Sequence, residues 1–339
     1  MDIKIALIGM GNVGISFLSL IREKKNFLQN KFNLNFKLIV IFEYDGALIE
    51  ENGINLDELL SKKKKIRDFS NWKYGIKAKD YISKLNVNFV IEATPTNPID
   101  GEPALSHIIE SLKKGLDIVS SNKGPFYLEY KKIKNFAESK NCFVKYEATV
   151  ASCVPALSIK ENLMGCEITH IRAILNGTCN YILSRMTSEG VDFSIALKEA
   201  QELKYAEADP TLDIDGFDAA GKLVIMANEL LGFTKSITDV KIQGIRKITP
   251  QAIELAKSDG YVIKHLAIVD VENDELIVEP RLVEKDSPLN ISGTLNVIEL
   301  ETKYAGPIIL MGRGAGGLEA ASAILNDILM IAIKRGYIK

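Results

Sequence analysis

The amino-acid sequence predicts an α/β fold: a doubly wound parallel sheet, followed by an α+β region built on an antiparallel sheet. Three observations carry this expectation. The apolar run Ile3-Lys-Ile-Ala-Leu-Ile8 is followed at once by Gly9-Met-Gly-Asn-Val-Gly14 and then by helical spacing over residues 15–21. Strand-like and helical stretches then alternate to about residue 148, as βαβ units require. Further on, residues 261–271 and 274–282 read as two strands around the turn Glu272-Asn-Asp274, an antiparallel pair with helices on one face.

The first domain is organised by its opening motif. G-x-G-x-x-G carries meaning only between a strand and a helix, which is its setting here. Gly9 permits the tight turn, Gly11 lets the backbone approach a pyrophosphate, and Gly14 packs the helix against the strand. Asn12 and Val13 complete the loop, and the free N–H groups at the helix start face the anion. This is a Rossmann-type dinucleotide site. The second strand is expected over residues 36–42, ending at Glu43, whose carboxylate can accept from a ribose 2′-OH and would repel a 2′-phosphate. That favours NAD over NADP. Glu43 lies beyond the usual interval of about 20 residues because residues 24–35 read as an extended helix end and loop.

Residues 46–79 read as polar, irregular decoration, with a basic run at 62–65 that is a solvated face or could fold back to a 2′-phosphate. A strand over 87–91 ends at Glu92-Ala-Thr-Pro-Thr96, a helix spans 103–114, and a strand over 117–120 leads into Asn122-Lys-Gly-Pro125. Residues 142–148 complete the sheet. Ligands of open parallel sheets bind outside the carboxyl ends of the strands, which makes Thr94 and Lys123 site candidates.

In the second region a strand over 168–175 precedes Asn176-Gly-Thr-Cys-Asn-Tyr-Ile182, where a helix begins, and residues 193–203 form another. They deliver the chain to Lys204-Tyr-Ala-Glu-Ala-Asp-Pro-Thr-Leu-Asp-Ile-Asp-Gly-Phe-Asp-Ala-Ala-Gly-Lys222, which holds five carboxylates. Asp215 or Gly216 can start the helix that follows, with Asp218 in its first turn and Lys222 four residues on, on the same face. The plain reading is a capped helix with a surface ion pair worth roughly 0.3–0.5 kcal/mol. The density of acids and the small residues Ala219, Ala220 and Gly221 favour a site. A second glycine-rich turn, Gly312-Arg-Gly-Ala-Gly-Gly317, precedes an apolar helix over 320–334 and suggests that the C-terminus returns to the first domain.

The totals exclude other classes. At 339 residues the chain can hold two domains, and a net charge of −2 gives no attraction to nucleic acid or an anionic membrane. No apolar run reaches the roughly 20 residues of a membrane span, and no secretory signal opens the chain. Cys142, Cys153, Cys166 and Cys179 form no C-x-x-C pair, which fits reduced thiols in the cytoplasm rather than a zinc site. His107, His170 and His265 are scattered and read as structural.

With these pieces in place, the chain resembles the homoserine dehydrogenases along nearly its whole length. The resemblance rests on the first glycine motif, Ser121-Asn-Lys-Gly-Pro125, Tyr146-Glu-Ala-Thr-Val150, Asn176-Gly-Thr178, Tyr205-Ala-Glu-Ala-Asp-Pro210, Asp215-Gly-Phe-Asp-Ala-Ala-Gly-Lys222 and the Gly312 to Gly317 turn. It implies reversible NAD(P)-dependent interconversion of L-aspartate 4-semialdehyde and L-homoserine, on the route to threonine, methionine and isoleucine. By motif, Lys222 takes the acid/base role and Asp218 positions the substrate with it. Glu207 and Asp213 line the pocket, with Asn176, Gly177, Thr178 and Tyr205 about it. Lys123 lies near the nicotinamide, as do Gly314 and Gly316. Glu147, with the carbonyls of Val150, Ser152 and Val154, matches a monovalent cation site, for an ion such as Na+. This chain has Ala151-Ser-Cys153 where glycine and alanine are usual, and Arg313-Gly-Ala-Gly-Gly-Leu-Glu-Ala where proline and threonine are common.

The resemblance further implies a short form without an effector-binding module, divided as a cofactor domain (1–147), a substrate and dimerisation domain (148–310) and a returning segment (311–339). A homodimer through the second domain is implied as well. The alternatives are another amino-acid dehydrogenase of the same two-domain type, or a dinucleotide-binding sensor without catalysis. The sensor has no reason to keep Lys123, Asp218 and Lys222 together.

Overall fold

The computed structural model describes residues 1–61 and 65–338, so three of the four lysines at 62–65 lie outside the described residues. The chain forms two compact units: Met1–Ser152 with Gly316–Lys339, and Cys153–Ala315.

The first unit is built on seven strands: β1 (Asp2–Ile8), β2 (Asn35–Glu43), β3 (Gly46–Ile49), β4 (Trp72–Tyr74), β5 (Phe89–Glu92), β6 (Asp117–Ser120) and β7 (Val144–Lys145). Their order is β4-β3-β2-β1-β5-β6-β7. From β2 to β7 neighbouring strands are parallel, and β3 and β4 add antiparallel pairs at one edge. The strand order reverses between β1 and β5, the switch point where such sheets bind ligands. Ile3, Ile5 and Leu7, alternate residues of β1, face one way and bury against Phe17, Leu18 and Ile21 of the helix Asn12–Glu23. Ala321, Ile324, Leu325 and Ile328 of the C-terminal helix Gly317–Lys334 join the same core. Each of the Ile, Leu and Phe side chains contributes about 1.5–3 kcal/mol on full burial. Arg335 then anchors the end of this helix, donating from Nε and Nη2 to Asp117 at the start of β6, 2.8 and 2.6 Å.

Two expectations are corrected here. Residues 46–79 are not irregular decoration: Gly46-Ala-Leu-Ile49 pairs with the end of β2, and Trp72 closes the edge. The final strand is shorter than 142–148, because Glu147–Thr149 turns into a 3-10 helix.

The second unit is a six-stranded sheet of β8 (Ile168–Ile174), β9 (Val240–Ile242), β10 (Tyr261–Asp270), β11 (Glu275–Glu284), β12 (Leu295–Thr302) and β13 (Gly306–Arg313), in the order β13-β12-β8-β10-β11-β9. All neighbours are antiparallel except β11 and β9. Helix Phe217–Leu231 is buried on every side from Leu223 to Ala227, the signature of a central helix rather than a surface one. Among the described residues no helix is long and apolar enough to cross a membrane.

Candidate active site

In the first unit the glycine loop has the shape a dinucleotide needs. Gly9 has φ 92°, and a Cβ there would meet the Ala93 carbonyl oxygen at 2.8 Å. A Cβ on Gly14 would collide with the Gly9 carbonyl oxygen, whereas one on Gly11 would have nothing within 4 Å. The loop is therefore tight where it turns and open where an anion would approach. No side chain caps the helix at Gly11, so the first-turn N–H groups are not spent on a cap. Met10 donates its N–H to Glu43 Oε1 at 2.5 Å, which sets Glu43 beside the loop. Arg67, which feels the Glu43 charge, is engaged by Asp45 at 2.6 and 2.9 Å.

Thr94 and Lys123 lie on neighbouring turns at the ends of β5 and β6. Thr94 donates from N to Glu92 Oε1 at 2.8 Å. Asn122 donates from Nδ2 to the Thr94 and Pro95 carbonyl oxygens at 3.1 and 3.0 Å, and accepts the Gly124 N–H at 3.1 Å. Lys123 is thus held between two fixed residues. At the C-terminal helix, a Cβ on Gly317 would meet Ser16 Oγ at 2.5 Å and Asn12 Oδ1 at 2.9 Å, so this turn lies directly on the pyrophosphate helix. Gly316 belongs to this unit, with φ 133°, while Gly314 belongs to the second and packs on the Asn296 side chain.

The expected cation ligands divide between the units. Glu147, Val150 and Ser152 lie in the first and Val154 in the second. Glu147 is buried, and its N–H bonds Asp327 Oδ2 at 2.9 Å. Burial, then the neighbouring Glu147 charge, pushes the Asp327 carboxyl up to about 8. Among the described residues no group of three or more acidic, Cys or His side chains gathers around a metal position.

In the second unit the acid-rich stretch is sorted by its partners. Asn176 caps the helix Gly177–Glu189, accepting the Cys179 N–H at 2.9 Å. Its Nδ2 donates to Asp213 Oδ1 at 2.7 Å and to Asp218 Oδ2 at 2.9 Å. Lys222 Nζ sits 2.8 Å from Asp218 Oδ2 and donates to the Leu175 carbonyl oxygen at 2.7 Å. Asp218 and Lys222 side chains are only 10% and 11% exposed, so this is not the exposed pair of the plain reading. Gly216, at φ 92°, permits the sharp turn between the short helix Thr211–Ile214 and the central helix. A Cβ there would crowd Ile242 and His265.

The other acids go elsewhere. Asp215 pairs with Arg246. Asp209 accepts the Thr211 N–H at 3.1 Å, and the Thr211 side chain and backbone hold its carboxyl below the usual range. Glu207 is exposed, as is Tyr205, whose ring meets Tyr181 edge-on at 5.0 Å. Thr178 Oγ1 donates to the Tyr205 carbonyl oxygen at 2.7 Å and ties this loop to the Asn176 helix. Burial, then the charges of Asp213 and Asp218, push the Cys179 thiol well above its ordinary value, so it stays protonated and inert.

Sequence reasoning did not single out Glu92, Asn122 or the Leu175 carbonyl. The first ends an otherwise apolar strand just before Thr94, a signal that could have been weighed. A backbone carbonyl leaves no trace in the sequence.

Comparison with known proteins gives the family. The family model described as homoserine dehydrogenase matches residues 155–329. A homoserine dehydrogenase of Methanocaldococcus jannaschii is 44% identical over 331 residues, covering 96% of this chain and 98% of the relative. The NAD(+)-dependent homoserine dehydrogenase of Pseudomonas canavaninivorans is 34% identical, covering 97% and 96%. Among solved structures, one from Archaeoglobus fulgidus, provisionally named a homoserine dehydrogenase, superposes with a TM-score of 0.88 at 39% identity, over 97% of this chain and 99% of that one. A hyperthermophilic archaeal homoserine dehydrogenase in complex with NADPH gives 0.84 at 26% identity, over 98% of each. The chain belongs to the homoserine dehydrogenase family and is an NAD(P)-dependent oxidoreductase.

Proposed function

We propose that Lys222 is the acid/base of the interconversion of L-homoserine and L-aspartate 4-semialdehyde. One observation carries this. A lysine ammonium has three N–H donors, and here two are fixed on Asp218 and the Leu175 carbonyl. The third has no partner among the described residues and is available to a substrate oxygen. When bound, the nicotinamide supplies or accepts the hydride. In reduction, Lys222 gives its proton to the carbonyl oxygen as that atom gains charge. In oxidation, the neutral amine takes the hydroxyl proton. Asp218 holds the amine in place, and Asn176 holds Asp218 and Asp213 together. Glu207, exposed and uncommitted, takes the substrate ammonium with Asp213. Gly177, Thr178 and Tyr205 shape the same loop pair. Lys123 polarises the carbonyl from the cofactor side.

The glycine loop, with Asn12, Val13, Gly314 and Gly316, holds the cofactor. Glu43 directs the preference toward NAD, supported by its place beside the loop and by the engagement of Arg67 with Asp45. Glu147, Val150, Ser152 and Val154 would hold a monovalent cation. The second unit would form the homodimer: β13 is an edge strand and turns Ile309 and Met311 outward on one face. Light scattering of the purified protein tests the dimer.

Lys222→Ala tests the central assignment. Turnover should fall on the order of 10²–10⁴-fold, the worth of general acid–base catalysis, while NADH binding changes little. Equal loss of both in a folded protein would return Lys222 to a structural role.

A further inference from the structure

The first unit contains a buried acid that no step above uses. Glu92 ends β5 with no exposed surface, and His107, buried on helix Ala104–Lys114, places Nδ1 2.7 Å from Glu92 Oε2. An ionised carboxylate only accepts, so His107 donates. The other oxygen, Oε1, receives the Thr94 backbone N–H at 2.8 Å and the Thr94 hydroxyl in a short contact. The Thr94 hydroxyl oxygen in turn accepts from Asn122 Nδ2 at 3.1 Å. The Glu92 carbonyl oxygen takes the Ser121 N–H at 3.0 Å.

The chain of contacts therefore runs from His107 through Glu92 to Thr94 and Asn122, and ends on both sides of Lys123. It sits at the switch point of the sheet. Glu92 is in register with Ile8, Ala93 donates its N–H to the Ile8 carbonyl oxygen at 2.8 Å, and Gly9 lies against the Ala93 carbonyl. A wholly buried carboxylate is costly and is retained only when paired and hydrogen-bonded. An apolar residue would pack this strand end equally well, but it could not hold a hydroxyl and an amide of the next turn.

We propose that Glu92, braced by His107, is a positioning residue for hydride transfer, fixing the Thr94–Pro95 turn and, through Asn122, the turn that carries Lys123. The inference rests on the assignment of Thr94 and Lys123 to the nicotinamide side of the site. Glu92 touches neither substrate nor cofactor; it acts through the two turns.

Steady-state kinetics of Glu92→Ala, Glu92→Gln and Lys123→Ala, with homoserine and with homoserine deuterated at its carbinol carbon, test it. Displacing a turn by about 1 Å costs on the order of 100-fold in rate, so kcat of Glu92→Ala should fall by that much. The KM for homoserine should stay within about threefold, and the deuterium effect on kcat should rise as chemistry becomes limiting. Glutamine can accept from Thr94 through its oxygen and, with the His107 proton moved to Nε2, donate to the freed Nδ1, so Glu92→Gln should recover most of the rate. If Glu92→Ala does not fold, Glu92→Asp keeps the charge, draws its oxygens back by one methylene, and should lose roughly tenfold in kcat. A folded variant with wild-type kcat, or a loss of rate that tracks loss of folded protein with an unchanged isotope effect, overturns the inference. Should Lys123→Ala turn over normally, the assignment of Lys123 falls, and the inference with it. An impaired Lys123→Ala beside a normal Glu92→Ala overturns the positioning role alone.

Discussion

The two units prepare for their ligands by different means. In the first, backbone does most of the work: an open glycine loop, uncapped helix N–H groups, and turns locked by Glu92 and Asn122. In the second, side chains do it, with Asn176 brought from one stretch of chain to Asp213, Asp218 and Lys222 of another. A backbone site tolerates changes of side chain but not of shape. A side-chain site tolerates small changes of shape but not of charge.

The largest effect that would sharpen this contrast is charge removal without change of shape. Asp218→Asn keeps the volume and a hydrogen-bonding oxygen but unpairs the Lys222 ammonium, which is 11% exposed. We expect kcat to fall on the order of 100-fold, with NADH affinity unchanged when titrated by fluorescence. Near-normal turnover would mean that the pair is only a buried helix brace. The complementary change is shape without charge. Gly14→Ala sets a methyl against the Gly9 carbonyl oxygen, and helix and strand must part. Overpacking of this kind costs about 1–3 kcal/mol, so NADH affinity should drop roughly tenfold or more and the melting temperature should fall. A variant that binds NADH normally would show that the loop is less tight than its geometry implies.

How far each site could be read in the sequence follows the same division. The glycine loop is contiguous, and each glycine answers a local demand of strand, turn or helix, so Gly9, Gly11 and Gly14 could be assigned from spacing alone. The acid-rich stretch is just as contiguous, but its five carboxylates looked alike. Their roles are set by partners far along the chain: Asn176 selects Asp213 and Asp218, and Arg246 takes Asp215. The same holds for the fold. The long apolar strands β1, β2 and β10 were legible, whereas β3 and β4 are four- and three-residue edge strands whose pairing depends on tertiary contact. Residues 295–302 and 306–313 went unassigned as strands: β12 pairs on one side with β8, more than a hundred residues earlier in the chain, and β13 joins the sheet only through β12.

A smaller effect separates acids within the stretch. Glu207→Gln removes an exposed carboxylate that the substrate ammonium would use. Losing a hydrogen bond to a charged group costs about 1.5–3 kcal/mol, so the homoserine KM should rise roughly ten- to a hundredfold with kcat nearly constant. Asp209, already committed to Thr211 at the surface, should give less than about a twofold change on conversion to Asn, since such surface substitutions are nearly neutral. Comparable KM changes in the two variants would mean that Glu207 has no privileged place.

The smallest effect asks whether reliance on side chains extends beneath the second site. Lys264, on β10, is 3% exposed and donates to Asn180 Oδ1 at 3.4 Å and to the Ile291 carbonyl oxygen. Asn180 in turn bonds the Gly293 carbonyl oxygen at 2.9 Å, so the lysine braces the helix that Asn176 caps. Burial lowers its pKa from 10.5 to about 8. Between those values the unfolded chain holds a proton that the folded chain has released, so stability contributed by this group rises with pH across that window and is lowest below it. The full rise is on the order of a few kcal/mol. Lys264→Met has no such proton to lose. In urea unfolding the difference between the variant and the native protein should shift toward the native protein as pH goes from 7 to 10. A difference that does not move with pH would mean the ammonium is solvated, and that the second unit's dependence on charged side chains stops at the site itself.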